Sequence, residues 1–349
     1  MKQVLKQVLG TDVAQKELVV TLGRMFNDFT VDLYAYKVFK NNTTGFKALL
    51  KWLDSLIDQK VPMQFVMEAT GVYHEKFAYH LDEQGYDLSI VLPNKISNYM
   101  RTLDTKTVTD KTASQAICQF GLERKLDLWK RPNKTYKELQ QLTRERNQIV
   151  DERVIVKNQL HAEKTEAAPN KASLERMQAR IKFLNKQEQE VNNDIQQIVN
   201  RDDVLKQDLQ DICTIPGVGI LTAVTVLAET NGFELIKNKK QLTSYAGFDV
   251  KEKQSGTSVK KKTKISKQGN RHLRKAMYLP SLSAVKYNET HKQLYNRLTE
   301  KSGLKMKGLV AVQRKLLELI YVIHKNKTTF NKNYEQDKRA AKLENIATL

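Results

Sequence analysis

Cysteine is nearly absent from the sequence, with Cys118 and Cys213 the only two in 349 residues. Two cysteines are too few for a disulfide framework or for a zinc site built from CxxC pairs. This excludes disulfide-rich secreted proteins and cysteine-based zinc modules. We expect both thiols to be half-buried in the fold, where free cysteine usually lies.

Long apolar runs are also missing. No stretch approaches the ~18 consecutive apolar residues of a membrane-spanning helix. The N-terminus MKQVLKQVLGTDV lacks the long apolar centre of a signal peptide. We therefore expect a cytoplasmic protein with no membrane segment.

Acidic residues are in deficit, since 59 Lys and Arg stand against 39 Asp and Glu, a net charge of +20. A surplus this large favours a polyanionic partner, with nucleic acid ahead of an anionic membrane surface. The length allows two or three domains, each able to bury its own core.

Hydrophobic patterning divides the chain into segments. Residues 1–130 alternate short β-rich runs with amphipathic helices, which predicts an α/β sheet flanked by helices. Residues 131–202 are polar and charged, with a heptad seam interrupted once at Glu188 and a turn at Pro169, which predicts a coiled-coil hairpin. This hairpin is either a spacer or an element for dimerisation or RNA contact, and the sequence favours neither role. Residues 203–335 predict a basic, mostly helical domain, and 336–349 a charged tail.

Two acidic residues lie at predicted strand ends. Asp12 follows the first strand, and Glu68 ends the apolar strand QFVMEA. Strand ends in an open α/β sheet face a common crevice, so these carboxylates can converge and bind Mg²⁺. Asp110, at the start of a predicted helix, is either a third ligand or, like Thr109, a helix cap. Turn formation is the alternative role for acids at strand ends.

Two features of the C-terminal half indicate phosphate binding. The run IPGVG, residues 215–219, joins two apolar helices, and this predicts a helix-hairpin-helix in which Gly217 and Gly219 hold a phosphate through backbone amides. The second feature is a run with ten Lys and Arg between Lys251 and Lys275. Its alternative is a solvated surface, and Ser255 within it is by itself a turn residue. The basic residues predicted to bind nucleic acid are Lys260, Lys261, Lys262, Lys264, Lys267, Arg271 and Arg274.

Together these features resemble the DEDD-type insertion-sequence transposases of the IS 110 group, which are bridge-RNA-guided DNA recombinases. The resemblance covers nearly the whole chain, and the ordered set of motifs is specific. The motifs that carry it are TDVAQKELVV, FVMEATGVYHEKFAYHL, TVTDKTASQAI, IPGVGILTA and YAGFDVKEKQSGTSVKKKTKISKQGNRHLRKAM.

The resemblance implies a RuvC-like (RNase H-like) N-terminal domain, the coiled-coil hairpin and a mostly α transposase domain. It implies that Asp12, Glu68 and Asp110 hold Mg²⁺ and that Ser255 attacks DNA to form a phosphoserine link. It also implies donor and target DNA and a guide RNA as partners. We expect a homodimer that assembles into a tetramer, with the carboxylates and the serine of one site on different protomers.

One position departs from the family pattern. The family has D-x-x-D before its helix, but the residue three after Asp110 is Ala113. Either the site lacks one ligand, with Asp104 as a substitute, or the chain is a cleavage-deficient variant. The alternative functions are a metal-dependent nuclease that uses an activated water, and an architectural DNA-binding protein without catalysis.

Overall fold

The computed structural model of the chain describes residues 2–103, 106–234, 236–252, 254–255, 259–260 and 263–333. The chain forms two compact units, residues 1–131 and 132–349. Within the described ranges, no helix has both the length and the apolar composition needed to cross a membrane.

The first unit is built on a five-stranded mixed sheet, which confirms the predicted α/β class. The strand order is β3-β2-β1-β4-β5, with β1, β2 and β3 antiparallel and with β4 parallel to both β1 and β5. Its elements are β1 (Val4–Val13), β2 (Glu17–Phe26), β3 (Val31–Lys40), α1 (Thr43–Asp54), β4 (Met63–Glu68), α2 (Glu75–Glu83), β5 (Asp87–Val91), α3 (Pro93–Met100) and α4 (Asp110–Glu123).

The sheet is covered on both faces, as its apolar strands require. Helices α1 and α2 pack on one face, where Phe46 and Phe77 meet Leu9 and Phe65. On the other face α4 packs Ile117 against strand residues of β1 and β4. The two faces therefore have separate cores, and the carboxyl ends of β1 and β4 lie between them.

The second unit is helical. Its helices are α5 (Lys134–Thr165), α6 (Lys171–Asn200), α7 (Asp203–Cys213), α8 (Ile220–Glu229), α9 (Lys239–Ala246), α10 (Arg271–Ala276), α11 (Tyr278–Tyr287), α12 (Glu289–Ser302) and α13 (Lys305–Asn326). The described residues between α9 and α10 include the two-residue strands β6 (Val250–Lys251), β7 (Gln254–Ser255), β8 (Val259–Lys260) and β9 (Lys264–Ile265).

Helices α5 and α6 run antiparallel to each other, because Arg146 and Arg153 of α5 both bind Glu188 of α6 while Arg180 of α6 approaches Glu152 of α5. Glu188, the polar residue that interrupts the predicted seam, is thus paired with two arginines. A half-buried carboxylate is tolerated there because it is paired and hydrogen-bonded. The heptad supercoil itself stays a prediction.

Helix α8 is the centre of the second unit's core. Val224, Val226 and Leu227 are fully buried, and residues of α5, α7 and α13 belong to the same hydrophobic cluster. A helix that is apolar on all sides is expected in this position.

Candidate functional site

Asp12 and Glu68 are brought together by the register of two parallel strands. The register pairs Gln7 with Met63 and Thr11 with Met67, and its continuation puts Asp12 opposite Glu68. Residues opposite each other on neighbouring strands project from the same face of the sheet. This register places Asp12 and Glu68 on one face at the carboxyl ends of β1 and β4, and a metal site formed by the two acids stays a prediction.

Helix α4 lies unusually close to this face, because two glycines remove the side chains that would separate them. A Cβ added at Gly10 of β1 would lie 2.2 Å from the backbone nitrogen of Cys118, and one at Gly121 would lie 2.8 Å from methyl groups of Val8 and Val66. Cys118 is buried in this contact, and its thiol donates to the Val8 carbonyl at 3.2 Å. Burial raises the pKa of this thiol to about 12. The role of Cys118 is therefore packing.

The first turn of α4 is held against the sheet at the level of the acids. Thr109 caps the helix by accepting a hydrogen bond from the Thr112 amide at 3.2 Å, so it is Thr109 and not Asp110 that serves as the cap. The hydroxyl of Ser114 forms a buried 2.8 Å hydrogen bond with the hydroxyl of Thr21 on β2. Asp110, in the first helical turn, is left exposed and free for another role.

The three carboxylates interact electrostatically. Burial raises the pKa of Asp12, and the negative charge of Asp110 raises it further. Burial also raises the pKa of Glu68, with a second contribution from Asp12. Among the described residues, no cation contributes to either shift of pKa. The ammonium of the neighbouring Lys111 lies instead over the Tyr36 ring, 5.1 Å from its centre.

Uncompensated carboxylates that repel one another suit a divalent cation. Mg²⁺ is commonly held by one or two carboxylates together with substrate phosphate oxygens and water. Asp12 and Glu68 fit that description, with Asp110 close enough to Asp12 to affect its charge. Within the described ranges, no three His, Cys, Asp or Glu side chains form a cluster that could hold a metal ion by themselves. A site shared with a bound phosphate is therefore the arrangement that these residues support.

We predict that Asp12→Asn stabilises the metal-free protein at neutral pH. The raised pKa means that the ionised form of Asp12 is disfavoured in the folded state, so its charge destabilises the fold above that pKa. This destabilisation disappears as pH falls through the raised pKa, because the folded protein then takes up the proton. The melting temperature of the variant in a chelator should exceed that of the wild type at pH 7, and the two should converge toward pH 4.

The exposed Asp87 of β5 provides the control for that measurement. Asp87→Asn should leave the melting temperature nearly unchanged across the same pH range. A lower melting temperature for Asp12→Asn at pH 7 would show that the Asp12 carboxylate stabilises the fold, contrary to the repulsion inferred above.

Ala113 lies in the first turn of α4, three residues after Asp110. It is half-buried, and its amide donates to the Thr109 carbonyl at 2.8 Å. Positions three apart on a helix share a face, so a side chain at 113 projects beside that of Asp110. Asp104, the possible substitute ligand, lies outside the described residues.

The turn between α7 and α8 contains the two glycines predicted to bind phosphate. Gly217 has a φ of +89° and packs against α11, where an added Cβ would lie 2.9 Å from Ser283. Gly219 precedes α8 and faces open space. Internal packing thus accounts for Gly217, while Gly219 leaves the N-terminus of α8 accessible. The helix-hairpin-helix and its phosphate contact stay predictions.

The segment from residue 250 to 265, named here the basic hairpin, carries Ser255. At its base Val250 pairs with Ile265, and farther along Ser255 pairs with Val259. Lys264 and Lys267 are exposed. Lys261 and Lys262 lie outside the described residues, as do the side chains of Ser255 and Lys260.

Arg271 and Arg274, both predicted to contact nucleic acid, lie in different environments. Arg271 is exposed at the start of α10. The guanidinium of Arg274 donates to the carbonyl of Ala246 at 2.7 Å and to that of Gly269 at 3.2 Å. Arg274 therefore satisfies the C-terminal end of α9, a structural role that its place in a charge run does not reveal. Its contact with nucleic acid stays a prediction.

Glu229 and Gly10 were not predicted from the sequence. Glu229 ends the apolar helix α8, where a single acid in an apolar run was the only signal. Gly10 sits inside a strand, and an isolated glycine within a strand pattern does indicate close approach of another backbone. Gly10 provides this signal two residues before Asp12, and the backbone that approaches it is that of α4.

Two family models match the chain. The model described as the transposase IS116/IS110/IS902 family covers residues 209–296. A second model, a DEDD transposase of the IS110 type, covers residues 9–169. The second match contains Asp12, Glu68 and Asp110, and the first contains Ser255 and the basic run.

The curated relatives are gene-inverting proteins and an insertion-element protein. A pilin gene-inverting protein of Moraxella lacunata is 26% identical over 333 residues, which cover 95% of this chain and 99% of that protein. A pilin gene-inverting protein of Moraxella bovis is 26% identical over 300 residues, with 85% of this chain and 91% of that protein covered. An insertion element IS110 protein of Streptomyces coelicolor is 24% identical over 119 residues, 34% of this chain and 29% of that protein.

Among solved structures, RuvC of T. thermophilus in complex with a Holliday junction substrate matches with 10% identity, covering 35% of this chain and 99% of that one. The TM-score of 0.27 is too low to establish a shared fold. The family models and the full-length relatives decide the assignment. This chain belongs to the IS110 family of transposases and DNA recombinases, and it is an enzyme that acts on DNA.

Proposed function

We propose that the chain cleaves and rejoins donor and target DNA strands through a covalent phosphoserine intermediate at Ser255, assisted by carboxylate-bound Mg²⁺. The observation that carries the proposal is the group of uncompensated carboxylates on one edge of the sheet, with Asp12 opposite Glu68 and within electrostatic reach of Asp110. Mutually repelling carboxylates in a DNA-acting enzyme favour binding of a cation and a phosphate.

The carboxylates and the serine would have different tasks in the reaction. Asp12 and Glu68 would hold the ion at the scissile phosphate, with Asp110 adding negative charge. A bound Mg²⁺ would supply charge neutralisation at that phosphate and assist a hydroxyl that is otherwise a weak nucleophile. In the reaction, a bond forms between the Ser255 oxygen and phosphorus, and the bond from phosphorus to the departing sugar oxygen breaks. Serine loses its proton and the departing oxygen gains one, so a phosphodiester remains for rejoining without ATP.

The relatives and the family resemblance support the remaining parts of the proposal. Proteins named for inverting pilin genes match over nearly the whole chain, and this supports rearrangement of DNA segments. The resemblance adds a guide RNA and a dimer that assembles into a tetramer. Gly219 at the open start of α8, with exposed Lys264, Lys267 and Arg271, would contact phosphates of the nucleic acid.

The test is the fate of Ser255→Ala with Mg²⁺, DNA and protein purified together with its bound RNA. We expect the wild type to form a denaturation-resistant protein-DNA adduct and Ser255→Ala to form none, because the attacking oxygen is removed. Thr257→Ala, two residues along the same hairpin, is the matched control and should keep the adduct.

The other outcomes identify the alternatives. Strand cleavage that persists in Ser255→Ala without an adduct would contradict the serine nucleophile and favour a nuclease with an activated water. DNA activity that is unchanged in both Asp12→Ala and Glu68→Ala would contradict any catalytic role of the carboxylates.

A further inference from the structure

Glu229 is a buried carboxylate that the proposed chemistry does not use. It lies at the end of α8 and is 2% exposed. The guanidinium of Arg144, from α5, donates to its two oxygens at 2.7 and 2.8 Å, and the amide of Asn270 donates at 2.7 Å. Although burial raises the pKa of Glu229, the hydrogen bonds from Arg144 and Asn270 lower it overall. An ionised carboxylate held by this many donors has a defined position.

Asn270 extends the contact to two further helices. Its side-chain oxygen accepts from the amides of His272 at 2.9 Å and Leu273 at 3.2 Å, which caps α10. The backbone amide of Asn270 donates to the backbone carbonyl of Tyr245 in α9 at 2.7 Å. The Tyr245 hydroxyl in turn donates to the backbone carbonyl of Glu229 at 2.9 Å. Helices α8, α9 and α10 are thereby joined around one carboxylate.

The last strand of the basic hairpin, β9, is followed directly by the residues that lead to Asn270. Gly269 has a φ of +152°, and an added Cβ would lie 2.5 Å from the Tyr245 carbonyl oxygen. The amide of Lys267 donates to Gly247 at 3.1 Å, and that of Ser266 donates to Asp249 at 2.7 Å. Ser266, Lys267 and Asn270 are therefore hydrogen-bonded to the end of α9 or to the residues just after it, and Gly269 passes close to the same place.

The hairpin depends on such an attachment. A two-stranded ribbon is marginally stable by itself in water, and each of its two paired segments consists of two residues per strand. Val250 and Lys251, the residues of its first strand, are both exposed and so contribute little burial to its stability. The orientation of the hairpin is consequently set at its base.

We propose that Glu229, with Arg144 and Asn270, forms a positioning cluster that fixes the base of the basic hairpin and so places Ser255 for attack on DNA. This inference rests on the proposed function. The three residues would act through the hairpin, as positioning residues. Because Arg144 belongs to α5, the cluster also attaches the hairpin to the long antiparallel helices.

The experiment compares Glu229→Gln and Asn270→Ala with Asp208→Asn in the full chain. Asp208 is a matched control, because it is also a buried acid of this unit and is paired with His324 at 3.1 Å and with Lys327, both beyond the hairpin in sequence. Three quantities are measured for each: amide hydrogen exchange of residues 263–270, DNA affinity, and the single-turnover rate of strand cleavage at saturating DNA.

We expect Glu229→Gln and Asn270→Ala to speed exchange of the base amides at least tenfold and to slow cleavage at least tenfold. DNA affinity should change less than threefold. Asp208→Asn should leave both the exchange and the cleavage rate near wild-type values even where its melting temperature falls equally. This separates positioning from a general loss of stability.

Unchanged exchange in the two cluster variants would overturn the inference, and so would faster exchange without slower cleavage. An equal cleavage defect in Asp208→Asn would also overturn it. Ser255→Ala in the same assay tests the proposed function separately. Cleavage without an adduct in that variant would reject the serine nucleophile, and the exchange data would still decide whether the cluster fixes the hairpin.

Discussion

Gly10→Ala is expected to destabilise the α/β unit severely and to eliminate DNA cleavage. The new Cβ would lie 2.2 Å from a backbone nitrogen at Cys118 of α4, a distance that no rotamer change can relieve. Strand β1 cannot move away, because it is paired with β2 on one side and β4 on the other. Overpacking costs about 1–3 kcal/mol and sometimes more, and we expect at least ~3 kcal/mol here because backbone meets backbone. Displacement of α4 would also move Asp110 away from Asp12.

Chemical unfolding of the variants measures the effect. Gly121→Ala on the same interface meets side-chain methyls of Val8 and Val66 at 2.8 Å, which can move, so its loss should be smaller. Gly85→Ala meets no atoms within 4 Å and should lose only ~1 kcal/mol, the cost of its left-handed backbone. Equal losses for Gly10→Ala and Gly85→Ala would refute close packing of α4 as the reason for the glycine.

The α/β class and the convergence of two acids were predictable because both depend on local patterns. Alternating apolar residues define strands, and the sheet edge follows from strand direction. The cap of α1 is of the same local kind, since the side chain of Asn42 accepts from the Gly45 amide at 2.9 Å. Each strand and each cap depends on residues close in sequence, and the shared edge of the two acids then follows from the direction of the strands.

The contacts around Glu229 could not be predicted, because its partners are distant in sequence. Arg144 and Asn270 lie on either side of it at long separations, and no periodicity connects them. The same limit applies to Arg274, which looks like its neighbours in a charge run but binds the carbonyl groups of Ala246 and Gly269. Charge alone does not distinguish a residue that faces solvent from one that ends a helix.

Ala113→Asp is expected to raise the rate of Mg²⁺-dependent strand cleavage roughly 10- to 100-fold, the range typical of changes that tune a metal site. Position 113 shares a helix face with Asp110, which already acts on the charge of Asp12. A carboxylate there would restore the family's D-x-x-D pattern and add a ligand where the described residues contain no cluster of three. Cleavage of labelled DNA across a Mg²⁺ titration measures the rate and the concentration of metal required.

Two variants control for the added side chain and the added charge. Ala113→Asn has the same shape without the charge, and Gln115→Asp adds the charge to the same helix away from the face of Asp110. Neither should gain cleavage, because only a carboxylate beside Asp110 completes the ligand set. Equal cleavage by the wild type and Ala113→Asp would reject the idea that this chain is impaired, and would mean that the acids it already has, with or without Asp104, suffice together with the DNA phosphate.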